Sequence, residues 1–163
     1  MGDGVRVAIL DSGISQTHSD LVVKVVANKD FTGSATGPED IYGHGTHVAG
    51  IVAAVTNNNI GVAGTCPDCV LLNGKVLTDS GIGANSAIAD GIIWAAVNDA
   101  KVISLSLGSS VKSKTLERAV NYACDNDVVI VAAAGNSNNP SGTYPGAFPN
   151  VIAVAATDNQ DNK

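Results

Sequence analysis

Short apolar runs punctuate the chain, and between them apolar residues recur at helical spacing. VRVAIL (5–10) is predicted as a buried strand and VVKVVA (22–27) as a second, shorter one. CVLLNGKVL (69–77) reads as a third, weakened by Asn73 and Gly74. KVISLSL (101–107), VVIVAAA (128–134) and VIAVAA (151–156) follow. Helices are predicted over 44–55, 84–98 and 114–126, with Gly-, Thr- and Asp-containing loop at 28–43 and a Gly/Asn/Ser/Pro loop before the last strand. Strands this uniformly apolar, alternating with helices, specify an α/β fold: a parallel sheet with helices on both faces and right-handed crossovers.

Composition agrees. The chain has 163 residues, 45% hydrophobic and 15% charged, a length that suits one domain able to bury roughly two-thirds of its unfolded surface. The net charge of −6, without a basic cluster, excludes a phosphate-binding surface for nucleic acid. No apolar run reaches the roughly 18 residues needed to span a bilayer, so no membrane partner is expected. The start, MGDGVRVAIL, lacks the pattern of a signal peptide, which leaves a cytosolic protein or one whose targeting segment has been removed. Of three cysteines, Cys66 and Cys69 form a single CxxC. One pair does not make a four-ligand zinc site, so a local disulfide and reduced thiols stay open. Cys124, in an apolar stretch, reads as a small core residue.

In open α/β sheets, ligands bind beyond the carboxyl ends of the strands. Asp11 follows the first strand, Gly108 the fourth, Gly135 and Asn136 the fifth. The helix that starts at His44 is expected to open at the same rim. A carboxylate beside an imidazole is the orienting half of a nucleophilic triad, fixing the tautomer and stabilising the imidazolium. A carboxamide such as Asn136 can donate to a developing oxyanion. Taken singly, each residue reads as a strand-end cap or turn former; together on one rim they point to catalysis.

AILDSGI, GHGTHVAGIVAA (43–54), ISLSLG and VVIVAAAGN, in this order, resemble the subtilisin-like serine proteases over nearly the whole chain. TNNNIGVAGT and AVAATDNQDNK resemble the thermitase-like branch. The resemblance implies a three-layer subtilisin-like fold, an extended polypeptide as substrate and secretion. Asp11 then matches the triad aspartate, His44 the general base and Asn136 the side-chain oxyanion donor. His47 matches a structural position expected to point into the fold. Gly81, Ile82 and Gly83, with Ser106, Leu107 and Gly108, match the two edges that sandwich the substrate backbone. Ala133, Ala134 and Gly135 match the lining of a pocket for the side chain before the cleaved bond, expected to be roomy and apolar. A calcium site is implied too, with Asp20 and Asn58 as side-chain ligands and Thr56, Ile60 and Val62 as carbonyl ligands. The family's N-terminal arm, which adds a further ligand, has no counterpart in this sequence.

The family's nucleophile lies in a G-T-S-M-A motif. The only methionine is Met1, so that motif is absent from these residues, and no G-x-S-x-G elbow replaces it. Residues 1–163 are therefore expected to be a partial catalytic domain, without peptidase activity alone. An apolar surface and a strand edge are expected to be exposed, favouring a dimer through that edge. Three other readings are weaker. A non-catalytic module could capture extended peptides in the same groove. GIGANS (81–86) has Ser86 where a dinucleotide fingerprint needs its third glycine. Gly45 stands where a zincin needs its glutamate.

Overall fold

The computed structural model describes residues 1–137 and 142–162. The elements run β1 (Arg6–Asp11), β2 (Val25–Asp30), α1 (His44–Ala53), β3 (Val70–Lys75), α2 (Asn85–Val97), β4 (Val102–Leu105), α3 (Lys114–Asp125), β5 (Val129–Ala133) and β6 (Val151–Val154). The strands form one six-stranded sheet in the order β2-β3-β1-β4-β5-β6, with every pairing parallel. The chain builds leftward from β1 through β2 and β3, then crosses back through α2 to build rightward. That reversal beside β1 creates a crevice at the carboxyl ends of the central strands.

β1 is apolar throughout because it is covered on both sides. Val7 and Ile9 meet Ala49 and Ala53 of α1, while Ala8 and Leu10 join a larger core with α2 and α3. Helix α1 buries Gly45, Ala49 and Ala53, one residue per turn, so small side chains bring its axis close to the sheet. Helix α3 is amphipathic, burying Leu116, Ala119, Val120 and Ala123, and Ser113 caps its start by accepting from the Leu116 N–H at 3.3 Å.

Two expectations about strands shift. β2 begins three residues later than the apolar run, because residues 21–25 are wound into turns held by the carbonyls of His18 and Leu21. As an edge strand it tolerates Asn28 and Lys29, whose polarity suits a loop equally well. β3 is unbroken at Asn73 and Gly74. The fully buried Asn73 amide donates to Asn28 Oδ1 and to the Pro38 carbonyl, at 2.9 and 3.0 Å. A Cβ at Gly74 would overlap the Leu10 side chain.

Helix coverage is unequal. α1 spans β1 and β3, but on its side of the sheet Val129 of β5 and Ile152 and Val154 of β6 remain 47%, 54% and 52% exposed. Their alternate neighbours Ile130, Ala132 and Val151 pack into the opposite core. The cysteine alternatives resolve to a Cys66–Cys69 disulfide set against the α1 core. Cys124 packs against the larger core, and burial pushes its thiol above its ordinary value.

Candidate active site

Asp11 closes β1 at 1% exposure, and His44 opens α1 across the crevice. His44 Nδ1 lies 2.8 Å from Asp11 Oδ1, which also accepts from the Ser12 N–H at 2.7 Å. Asp11 Oδ2 is buried without a hydrogen-bond partner among the described residues. Burial accordingly pushes the Asp11 carboxyl above its ordinary 3.8, and the hydrogen bonds from His44 and Ser12 only partly offset this. The imidazole itself is 43% exposed, so its far nitrogen faces the groove. An oriented, accessible imidazole on a buried carboxylate is an arrangement that can act as a general base, the carboxylate favouring the tautomer with its proton on Nδ1.

Gly45 makes the approach of α1 tight. A Cβ there would overlap the Gly13 carbonyl and crowd Asp11, so any larger residue would separate the helix from the loop that carries the carboxylate. Asp40 then fixes the helix start, a role not read from the sequence. Gly43 precedes the helix in a left-handed conformation and caps nothing by side chain. Asp40 Oδ1 instead accepts from the Gly43 N–H and the Ser12 hydroxyl, both at 2.8 Å. Its Oδ2 accepts from the Thr46 N–H at 2.8 Å and the Thr46 hydroxyl at 2.6 Å. Ser12 Oγ completes the cap by accepting from the Gly45 N–H at 3.0 Å. A carboxylate four residues before the helix is the only sequence hint, and it lacks the usual capping spacing.

Burial alone would raise the Asp40 carboxyl, but the donors from Thr46, Gly43 and Ser12 outweigh it and hold the group below 3.8. A lowered folded value means that its contribution to stability is complete above about pH 4 and fades as pH falls through that value. Asp11, being raised, acts oppositely: its ionisation opposes folding, and protonation on acidification relieves that cost. Asp40→Ala is expected to destabilise the chain by about 1–2 kcal/mol in denaturant melts. Asp40→Asn is expected to flatten the acid limb of a stability-versus-pH curve; an unchanged limb would refute the assignment.

The groove beside His44 encloses about 370 Å³ and is lined by Gly81, Ile82 and Gly83 on one edge and Ser106, Leu107 and Gly108 on the other. Tyr42 and Tyr144 also face it. A second cavity of about 320 Å³ shares Ser106, Leu107 and Gly108 and adds Ala133, Gly135 and Asn136. Ala134 does not line it; its N–H bonds to the Val154 carbonyl at 2.8 Å. The lining includes Ser109, Ser110, Ser137 and Thr143, so the described part of this cavity is more polar than expected.

His47 does not point into the fold. It is exposed, and among the described residues nothing hydrogen-bonds its ring. The reason is helical geometry: the sheet-facing stripe starts at Gly45, and two residues on is roughly 200° around the axis.

Away from the groove, Asp20 is 2% exposed and accepts from the Asn58 amide at 2.6 Å, while Asn58 Oδ1 accepts from the Ile60 N–H at 3.1 Å. No cationic side chain pairs with Asp20 among the described residues. The loop holding Thr56, Ile60 and Val62 curls around this carboxylate through left-handed Asn57, Asn59 and Gly61. Gly61 lies close enough that a Cβ would stand 3.3 Å from Asp20 Oδ2.

Together, fold and site define an α/β protein with an Asp–His pair at the switch point of a parallel sheet, beside an open groove. The profile of the Subtilase family, Peptidase_S8, matches residues 2–163, and the chain belongs to this family of subtilisin-like serine proteases. It is 51% identical over 162 residues to thermitase of Thermoactinomyces vulgaris, covering 99% of this chain and 58% of thermitase. It is 49% identical to subtilisin Savinase of Lederbergia lenta, covering 99% of this chain and 59% of that protein. The structure of sphericase superposes with a TM-score of 0.86 at 46% identity, covering 95% of this chain and 54% of sphericase. The chain thus spans little more than half the length of these relatives.

Proposed function

We propose that residues 1–163 are part of the catalytic domain of a serine endopeptidase, and that the nucleophilic serine comes from outside these residues. The observation that carries this reading is the 2.8 Å contact between His44 and the buried Asp11, beside a groove open to an extended peptide. In the proposed reaction, His44 accepts the serine proton as Oγ attacks the peptide carbonyl, and then delivers it to the departing amine. Water, deprotonated by the same imidazole, hydrolyses the acyl-enzyme. Asp11 holds the tautomer and stabilises the imidazolium, and Asn136 donates to the oxyanion. Gly81–Gly83 and Ser106–Gly108 pair with the substrate backbone, and the cavity at Ala133 and Gly135 takes the side chain before the cleaved bond. The test is a chimera in which the remainder of thermitase is fused after residue 163. A folded chimera should cleave a chromogenic peptide and lose that activity on His44→Ala; a folded but inert chimera sinks the reading.

A second reading rests on the groove being present in this chain by itself: capture of extended peptides without turnover. Fluorescence anisotropy with a labelled extended peptide tests it, and binding abolished by a bulky residue at Gly108 would favour it.

Asp20 and Asn58, with the carbonyls of Thr56, Ile60 and Val62, are proposed to hold calcium. A buried carboxylate without a countercharge is costly, and carboxylate, amide and backbone carbonyl oxygens are hard donors of the kind this ion takes. Bound calcium would neutralise Asp20 and fasten the loop after α1. At calcium about 100-fold above Kd, stability is expected to rise by about 2.7 kcal/mol in thermal melts, an increment that Asp20→Ala removes. No calcium effect on the parent chain would refute the site. Secretion is proposed from the family and fits the Cys66–Cys69 disulfide, which persists in oxidising compartments. A second copy of the chain is the proposed partner of the half-exposed β5–β6 face.

A further inference from the structure

Lys75 ends β3 with its side chain fully buried, an uncommon place for an ammonium group. All three of its N–H donors are used. They reach the Ser12 carbonyl at 2.9 Å, the Glu39 carbonyl at 2.7 Å and Asp79 Oδ1 at 2.6 Å. The placement of these acceptors is informative. Ser12 follows Asp11, and the Glu39 carbonyl belongs to the peptide bond that leads into Asp40, the cap of the helix bearing His44. Asp79 stands two residues before Gly81 on the groove edge and also accepts from the Thr36 hydroxyl at 3.0 Å. One cation therefore ties the carboxylate arm, the imidazole arm and the groove edge to a single point.

Around it the backbone is fastened in the same sense. The N–H groups of Val76 and Leu77 both donate to the Asp11 carbonyl, at 2.8 and 3.0 Å. An apolar residue would fill the volume of Lys75, but it would leave two carbonyls unpaired and Asp79 without its charge partner.

We propose that Lys75 is a positioning residue for the Asp11–His44 pair: it sets the separation of the two arms, and hence the hydrogen bond between them. This rests on the reading of Asp11 and His44 as the working pair. Lys75 touches neither substrate nor the reacting atoms. Its influence passes through the Ser12 and Glu39 carbonyls, and through Asp79 it reaches the groove edge as well.

Charge and position make opposite demands on one observable. The Nδ1 proton of His44, held against Asp11, gives a downfield NMR resonance that can be followed in the full chain. Removing a nearby cation without moving anything makes the carboxylate a stronger acceptor, shifting that resonance further downfield and slowing its exchange with water. Releasing the two arms does the reverse. In Lys75→Met we expect the resonance to move upfield and to exchange with water about tenfold faster. Lys75→Gln, which keeps an amide donor for one carbonyl, should give an intermediate position. An unchanged or downfield-shifted resonance in a folded Lys75→Met chain overturns the proposal. If Lys75→Met does not fold, Lys75→Gln is judged by the same criterion. Failure of both to fold also overturns it, since Lys75 would then be a folding determinant and not a positioning group. Asp11→Asn separates the two readings: if it leaves the parent resonance in place, the Asp11–His44 pair itself is refuted, whereas loss of the resonance there with no effect at Lys75 refutes only the clamp.

Discussion

The purified chain is expected to hydrolyse a chromogenic peptide no faster than buffer, and His44→Ala is expected to change nothing. Asp11, His44 and Asn136 lie along one rim, but a general base accelerates nothing without a group to deprotonate. In subtilisin, the family's reference case, loss of the serine alone costs roughly 10⁶ in kcat, about as much as loss of all three triad residues. What survives there is roughly 10³–10⁴ over water, from the oxyanion donors and substrate binding. That residue of catalysis needs a complete oxyanion hole and a rigid groove. In these residues the proposed donor, Asn136, is exposed on the loop after β5. The measurement is single-enzyme turnover with the His44→Ala chain in parallel. Turnover that the substitution abolishes would mean that a hydroxyl within these residues is being activated, and the reading of the site would fall.

A concentration-dependent dimer is the second expected result. Val129, Ile152 and Val154 are about half exposed on one face of β5 and β6, and no strand pairs with the outer edge of β6 among the described residues. Unpaired N–H and C=O groups beside apolar side chains form a template for another strand. Two branched side chains moved from half exposure to full burial contribute about 2–3 kcal/mol, roughly 30- to 140-fold in Kd. Ile152→Lys combined with Val154→Glu is therefore expected to weaken the dimer by about that factor in sedimentation experiments. A monomer at every concentration, melting cooperatively, would count against this surface.

The elements were legible because burial is periodic along the chain. VAIL in β1 is apolar at every position because both faces are covered, and α1 has small residues at each turn because it lies against the sheet. The pairing of Asp11 with His44 was also legible, since a strand end and a helix start meet at one rim in this class of sheet. Local pattern placed the start and end of β2 three residues early, because an edge strand accepts polar residues, and it gave no reason for Asn73 within β3, whose amide has partners only once residues 28 and 38 are brought beside it.

The sequence by itself determined the order of strands and helices, the family and the two side chains that face each other across the crevice. Those follow from periodicities of two to four residues and from long motifs. Only the tertiary structure decided that Asp40 caps the helix of His44, that Lys75 spends its three donors on both arms of the pair, that His47 faces outward, and that one side of β5 and β6 is uncovered. These depend on contacts between segments far apart in sequence. A hydrogen bond is set by a few tenths of an ångström in where two such segments lie, and no spacing along the chain encodes that distance.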